Sequence, residues 1–249
     1  MLSGKIILIT GASSGMGLES VDFFRSAGAE VVAIARNGDK LKRALASLGD
    51  EIMCIPADVR RNEQCQQVVK SVIKRFSRVD GLVNYAGEWV SGNALELSES
   101  EFDHSLESNL KTAWLMSRAV LVPMIKTGTG AIVNVSSILG VKVVPASTAY
   151  ATAKAALIQL TRSLALDFGP KGIRTNCVCP GLVDTPMTAN VFSQPNWLKD
   201  ITRGYPMGRL GKPTDIAPVA AFLLSDNASW INGAVLPIDG GYLTSSEPA

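Results

Sequence analysis

Tyr150 and Lys154 stand four residues apart at the head of an Ala/Leu-rich run, and helical spacing puts that phenol and ammonium on one face. A free tyrosine titrates near pKa 10, so a phenolate working at neutral pH needs its pKa lowered by about two to three units, or about 3 to 4 kcal/mol. Two unit charges about 4 Å apart interact by about 4 kcal/mol at an effective dielectric near 20, so one well-placed ammonium is enough. Ser137 follows an apolar, strand-like run, Ala131 to Val135, where its hydroxyl can hold a substrate oxygen while Tyr150 moves a proton. Each piece alone has an ordinary use: Tyr-x-x-x-Lys as a helix face, Ser-Ser as a loop cap. Together they mean chemistry only if the chain builds a hydride-carrier site beside them.

The elements that would position them alternate along the chain. Lys5 to Thr10 has the pattern of a buried strand and runs through Gly11, Ser13, Ser14, Gly15, Met16 and Gly17 into a helical stretch ending at Ala27. Glycines let such a turn approach a pyrophosphate, whose charge is favoured by the unpaired N–H groups and dipole of the helix N-terminus. The second strand, Glu30 to Ala35, ends where a reader of NAD would carry an acid, but the chain has Ala35-Arg36-Asn37. A guanidinium there pairs with a ribose 2′-phosphate, which favours NADP(H) while leaving NAD(H) possible; the alternative is Arg36 stacked on adenine or facing solvent. A helix over Lys40 to Leu48 and a strand over Ile52 to Pro56 lead to Asp58 and Val59. Asp58 is placed either to accept from the adenine amino group or to cap a helix. Another helix, Glu63 to Phe76, precedes a strand over Val79 to Asn84, followed by Tyr85, Ala86 and Gly87. Helical segments between Glu99 and Ile125 contain Asn109, a residue mildly unfavourable inside a helix. His104 has the look of an ordinary surface or partly packed side chain.

Beyond Lys154, the helix to Phe168 is apolar nearly all round and needs cover on two sides, which points to a subunit interface as well as the sheet. Strand Ile173 to Cys179 precedes Pro180-Gly181-Leu182-Val183-Asp184-Thr185. The stretch from Pro186 to Pro206 has an irregular pattern, either a mobile lid over an apolar ligand or a loop held against another subunit. Asp215 to Leu224 is a further helix and Ala234 to Ile238 a seventh strand.

With 249 residues, 47% of them hydrophobic and 18% charged, the chain can bury a large core, and no linker or repeat divides it. Lys and Arg total 24 against 22 Asp and Glu, scattered, so neither nucleic acid nor an anionic membrane is an expected partner. Cys54, Cys65, Cys177, Cys179 and the lone His104 do not make a conventional zinc site, so no metal is expected, and reduced thiols fit the cytoplasm. The apolar start runs into the glycine motif with no basic leader, so neither a signal peptide nor a membrane span is expected.

The glycine motif from Thr10 to Gly17, Asn109, Ser137 thirteen residues before Tyr150, and Tyr150-x-x-x-Lys154 occur in that order, with Pro180-Gly181 beyond. In this the chain resembles the compact subgroup of the short-chain dehydrogenase/reductase family over essentially its whole length. The resemblance implies a single α/β domain, a three-layer doubly wound Rossmann fold with seven parallel strands in the order 3-2-1-4-5-6-7. It implies Tyr150 as general acid/base, Ser137 as donor to the substrate oxygen, Lys154 at the nicotinamide ribose depressing the Tyr150 pKa, and Asn109 anchoring a proton-relay water. It further implies Asp58 at adenine, Asn84 and Ala86 near the adenosine ribose, Val183 and Thr185 at the carboxamide, and a homotetramer. Two departures stand out. Tyr85 replaces the second Asn of the usual Asn-Asn-Ala-Gly, which puts the bonds made by that Asn in question. Ser14 occupies a position where many NADP-preferring relatives carry a base.

The expectation is an NADP(H)-dependent carbonyl reductase or alcohol dehydrogenase for a fairly apolar ketone or secondary alcohol. Ser137 and Tyr150 would meet the substrate in a pocket lined by Trp89, Leu139, Val144, Leu182, Met187, Val191 and Phe192. A reductase of carrier-bound 3-oxoacyl groups ranks lower, because the Lys126 to Ala131 turn holds a single base with which to dock an acidic carrier. A non-catalytic dinucleotide sensor ranks last, against an intact Asn109, Ser137, Tyr150 and Lys154.

Overall fold

The computed structural model describes residues 1–49 and 52–245. Among these, seven apolar runs become strands: β1 (Ile6–Thr10), β2 (Glu30–Ala35), β3 (Met53–Pro56), β4 (Gly81–Asn84), β5 (Gly130–Val135), β6 (Ile173–Pro180) and β7 (Val235–Ile238). All pair in parallel, in the order β3-β2-β1-β4-β5-β6-β7. This is the order that the family resemblance implied. The connecting helices are α1 (Gly15–Ser26), α2 (Gly38–Leu45), α3 (Asn62–Phe76), α4 (Glu99–Leu106), α5 (Thr112–Thr127), α6 (Thr148–Phe168), α7 (Ala189–Phe192), α8 (Pro195–Arg203) and α9 (Pro213–Leu224).

The central strands are apolar without alternation because both sheet faces are covered. Ile7 and Ile9 pack with Phe24 of α1 and Leu224 of α9, whereas Ile6 and Leu8 pack with Val72 of α3 and Met116 of α5. Successive side chains of a strand point to opposite faces, so one apolar run feeds two cores.

A polar rivet crosses this sheet. Asn84 of β4 donates to Asn134 of β5 at 2.8 Å and to Ser117 of α5 at 3.2 Å, and Asn134 donates to Thr161 of α6 at 2.9 Å. At this strand end the side-chain bonds across the sheet are made by Asn84 and Asn134. Tyr85 itself is tied to α1, accepting from the Ser20 hydroxyl at 2.6 Å.

Two stretches differ from the sequence expectations. The segment 186–206 is not irregular: α7 and α8 occupy it, and Pro195 opens α8 at the helix position where its missing N–H costs nothing. Between α4 and α5 the helix widens into one π turn, Glu107–Lys111, which carries Asn109. Such turns are rare and frequent at functional sites. Among the described residues, no helix is long and apolar enough to cross a membrane.

Candidate active site

The β1–α1 turn is made tight by backbone contacts that leave no room for side chains. A Cβ on Gly17 would lie 2.3 Å from the Gly11 carbonyl oxygen, and one on Gly11 would lie 3.0 Å from the Ala86 nitrogen. Gly11 and Gly15 hold φ of +69° and +54°, where glycine is unstrained. The Ala86 N–H donates to Thr10 Oγ1 at 3.2 Å and ties the ends of β1 and β4. Among the described residues, no side chain caps the start of α1 and none in its first turn is acidic, so its first N–H groups face the cleft available to an anion.

That cleft, about 350 Å³, is lined by Gly11, Ser13, Ser14, Gly15, Met16, Gly17, Arg36, Asp58, Val59, Ala86, Gly87 and Thr185, all expected there. Met187 lines it too, on the nucleotide side and not in the apolar pocket expected for it. Asn84 does not join them, because its side chain is buried in the rivet; Pro180, Gly181 and Val183 stand beyond the cleft wall, Val183 buried and paired with Gly211. Glycine sterics, an open helix N-terminus and a guanidinium at the distal end form a cradle that fits a dinucleotide.

At the distal end, Asp58 neither caps a helix nor stands free. Arg60 grips its carboxylate through Nε at 2.9 Å and Nη2 at 2.8 Å, and these bonds hold the Asp58 pKa down at about 2 despite burial. Arg36 meets Glu88, with Nη1 3.4 Å from Oε1, and His104 Nε2 lies 2.8 Å from the other Glu88 oxygen. Sequence reasoning missed Arg60 and Glu88 and dismissed His104. The available signal was position: Glu88 follows the small pair Ala86-Gly87 at the end of a central strand, where ligands of such sheets bind.

At the proximal end, the four residues of the chemical hypothesis converge. Asn109 Nδ2 donates to the Glu88 carbonyl at 2.8 Å and to the Ser105 carbonyl at 3.0 Å, while its Oδ1 accepts from the Glu88 N–H at 3.2 Å. A Cβ on Gly87 would lie 2.6 Å from Asn109 Oδ1 and 3.4 Å from Lys154 Nζ, so Gly87 is the point where nucleotide cleft and catalytic group meet. The Ser136 hydroxyl donates to the Lys154 carbonyl at 2.8 Å and locks α6 to the end of β5. Ser137 Oγ accepts from the Leu139 N–H at 3.1 Å, which leaves its proton to donate.

One expectation is reversed. Tyr150 and Lys154 are both buried. Burial pushes Tyr150 up to about 12, with the Ser137 hydroxyl pulling the other way, and drags Lys154 down to about 8, opposed by Cys177 and Cys179. The ammonium donates to the Val135 carbonyl at 3.0 Å and lies 5.5 Å from the centroid of the Tyr150 ring, while the shift of the phenol is set by burial against the Ser137 hydroxyl.

The Trp89 ring lies over Tyr150 with centroids 4.8 Å apart and is 41% exposed. Leu139, Leu182 and Phe192 pack around a small cluster of Ile138, Tyr205, Leu210 and Tyr242, joined by Leu198 and Ile201 of α8. Val144 and Val191 are half-buried. The Tyr205 hydroxyl accepts from the Leu182 N–H at 2.8 Å, anchoring the end of the 186–206 segment.

A parallel sheet with a glycine turn, an open helix N-terminus and a half-buried Ser beside a buried Tyr and Lys at one strand end defines a dinucleotide-dependent oxidoreductase. The family model described as enoyl-(acyl carrier protein) reductase matches residues 11–243. The chain is 36% identical over 247 residues to 3-oxoacyl-[acyl-carrier-protein] reductase FabG of Chlamydia trachomatis, covering 97% of this chain and 98% of that protein. It is 39% identical to the oxidoreductase UcpA of Salmonella typhimurium, covering 96% and 95%. Among solved structures, an oxidoreductase of the short-chain dehydrogenase/reductase family from Burkholderia thailandensis superposes with a TM-score of 0.91 at 34% identity, over 98% of this chain and 94% of that one. The chain belongs to the short-chain dehydrogenase/reductase family and is an NAD(P)-dependent oxidoreductase.

Proposed function

We propose that this protein interconverts a ketone and a secondary alcohol with NADP(H), Tyr150 serving as general acid/base. The observation that carries this reading is the convergence of Asn109, Ser137, Tyr150 and Lys154 behind Gly87, which lines one end of a cleft whose other end presents Arg36. Gly11 to Gly17 would hold the pyrophosphate, Arg36 the 2′-phosphate, and Lys154 the nicotinamide ribose. A bound nicotinamide supplies or accepts the hydride. Ser137, with its lone pair engaged by Leu139, donates to the substrate oxygen. Tyr150, whose pKa of about 12 keeps it protonated at neutral pH, delivers a proton to that oxygen, which suits carbonyl reduction. Trp89, Leu139, Leu182 and Phe192 exclude water on the apolar side, with α7 and α8 as the lid of a single domain. We take the chain to act in the cytoplasm, in keeping with its four free cysteines.

Arg36 with no acid at the end of β2 supports a preference for NADP(H) of roughly tenfold, because an exposed charge-assisted bond is worth less than a buried one. Ala35→Asp with Arg36→Ile should reverse that preference in kcat/KM, tested on a panel of ketones. An unmodified enzyme already faster with NADH would refute the assignment of Arg36.

A second reading, reduction of a carrier-bound 3-oxoacyl group, is favoured by the relative named FabG. Turnover of a 3-oxoacyl-carrier substrate far above that of short free ketones would select it. For assembly, we propose a homotetramer: Leu106, Leu110 and Trp114, the last 43% exposed, border an open groove with Leu160 of α6. A monomer by light scattering at micromolar concentration would dismiss this.

A further inference from the structure

Arg36 is not idle at the distal end of the cleft, because Glu88 already holds it. The guanidinium Nη1 lies 3.4 Å from Glu88 Oε1, although the two residues come from different strand ends, after β2 and after β4. The Glu88 backbone is fixed on both sides by Asn109, and its second carboxylate oxygen is held by His104 at 2.8 Å. The carboxylate therefore faces Arg36 from a braced position.

We propose that Glu88 sets cofactor selectivity: its carboxylate competes with a cofactor 2′-phosphate for Arg36, so the chain favours NADP(H) less than Arg36 alone would dictate. The inference rests on the reading of Arg36 given above and adds to it a residue that the strand-end rule for β2 does not consider. The charges lining the cleft are Arg36, Lys40, Asp58, Arg60 and Glu88. Asp58 and Arg60 form a bidentate pair and largely cancel. What remains is two cations against one carboxylate, and that carboxylate is in contact with the better phosphate ligand. The groups share one electrostatic neighbourhood: Arg36 acts on the Asp58 carboxylate, and Glu88 acts on Arg60. The acid missing after Ala35 is thus supplied from the end of β4, where it weakens a phosphate-binding arginine by pairing with it.

The test uses equilibrium binding by calorimetry, independent of turnover, with 2′,5′-ADP and 5′-AMP as probes that differ by the 2′-phosphate. The full-length chain is compared with Glu88→Gln, Arg36→Met and the double variant, each checked by thermal melting. Glu88→Gln should tighten 2′,5′-ADP about threefold to tenfold, with 5′-AMP changing less, and the gain should shrink as salt is raised. In the Arg36→Met background the gain should vanish. If Arg36→Met weakens 2′,5′-ADP but Glu88→Gln leaves it unchanged or weaker, competition by Glu88 is overturned while the cofactor reading stands. A gain that persists without Arg36 also overturns it, since Glu88 would then act on the phosphate alone. If Arg36→Met leaves 2′,5′-ADP unaffected, the cofactor reading itself fails and takes this inference with it.

Discussion

At the nucleotide end of the cleft, position is fixed by backbone against backbone: Gly17 against the Gly11 carbonyl, Gly11 against Ala86. At the chemical end, position is fixed by side chains: Asn109 bonded to Glu88, the Ser136 hydroxyl to α6, the Lys154 ammonium to Val135. The first kind of fixing is steric and indifferent to protonation. The second places a buried phenol and a buried amine where desolvation governs both, and it is there that function works against stability. The two ends should accordingly fail in different ways.

The largest effect is expected at the chemical end. Tyr150→Phe removes one oxygen from the proposed proton donor and should lower kcat by about a hundredfold to ten-thousandfold, with NADPH affinity measured by fluorescence titration largely intact. Retention of more than a small fraction of the activity would remove Tyr150 from that role.

Gly17→Ala probes the steric end. Its Cβ would overlap a backbone carbonyl that no rotamer change can clear, so α1 must shift from β1 at a cost of about 3 kcal/mol. Thermal melting should show the loss, with weakened cofactor binding. A variant as stable as the parent would mean that the turn is looser than its contacts imply.

The smallest expected effect has the opposite sign. Lys154 titrates at about 8 in the folded protein against a reference value of 10.5, so the folded state binds fewer protons than the unfolded chain between those values. Stability should therefore rise with pH across that window, and the cost of the buried ammonium is fully present below about pH 8. The gap corresponds to about 3 kcal/mol, and losing the bond to Val135 returns about 1, so Lys154→Met should stabilise the protein by about 2 kcal/mol at neutral pH while abolishing turnover. Denaturant unfolding at neutral and alkaline pH measures it. A destabilised variant, or a difference that does not narrow as pH rises, would show that the amine is better solvated than its burial indicates.

Much of the frame was legible in the sequence because its causes are local. Lys5 to Thr10 had the pattern of a buried strand, the glycines needed their turn, and Tyr150 and Lys154 were on one helix face by spacing alone. Strand order entered through the family resemblance, not through any residue pattern. Helix α8 was within reach: Pro195 at its first turn and Trp197, Leu198 and Ile201 at helical intervals give an amphipathic pattern that turn residues nearby obscured.

What the sequence could not determine are the relations between distant residues. Whether Arg36 is free depends on Glu88, which meets it from another strand end and is itself held by His104. Whether Asn84 touches the cleft depends on Asn134 and Ser117 drawing it into the sheet. The direction of the Tyr150 shift was misjudged, and that of Lys154 not considered, for the same reason: a Coulomb attraction can be estimated from spacing, but the opposing cost of burial exists only once β5, β6 and α6 have closed around both groups and removed their water.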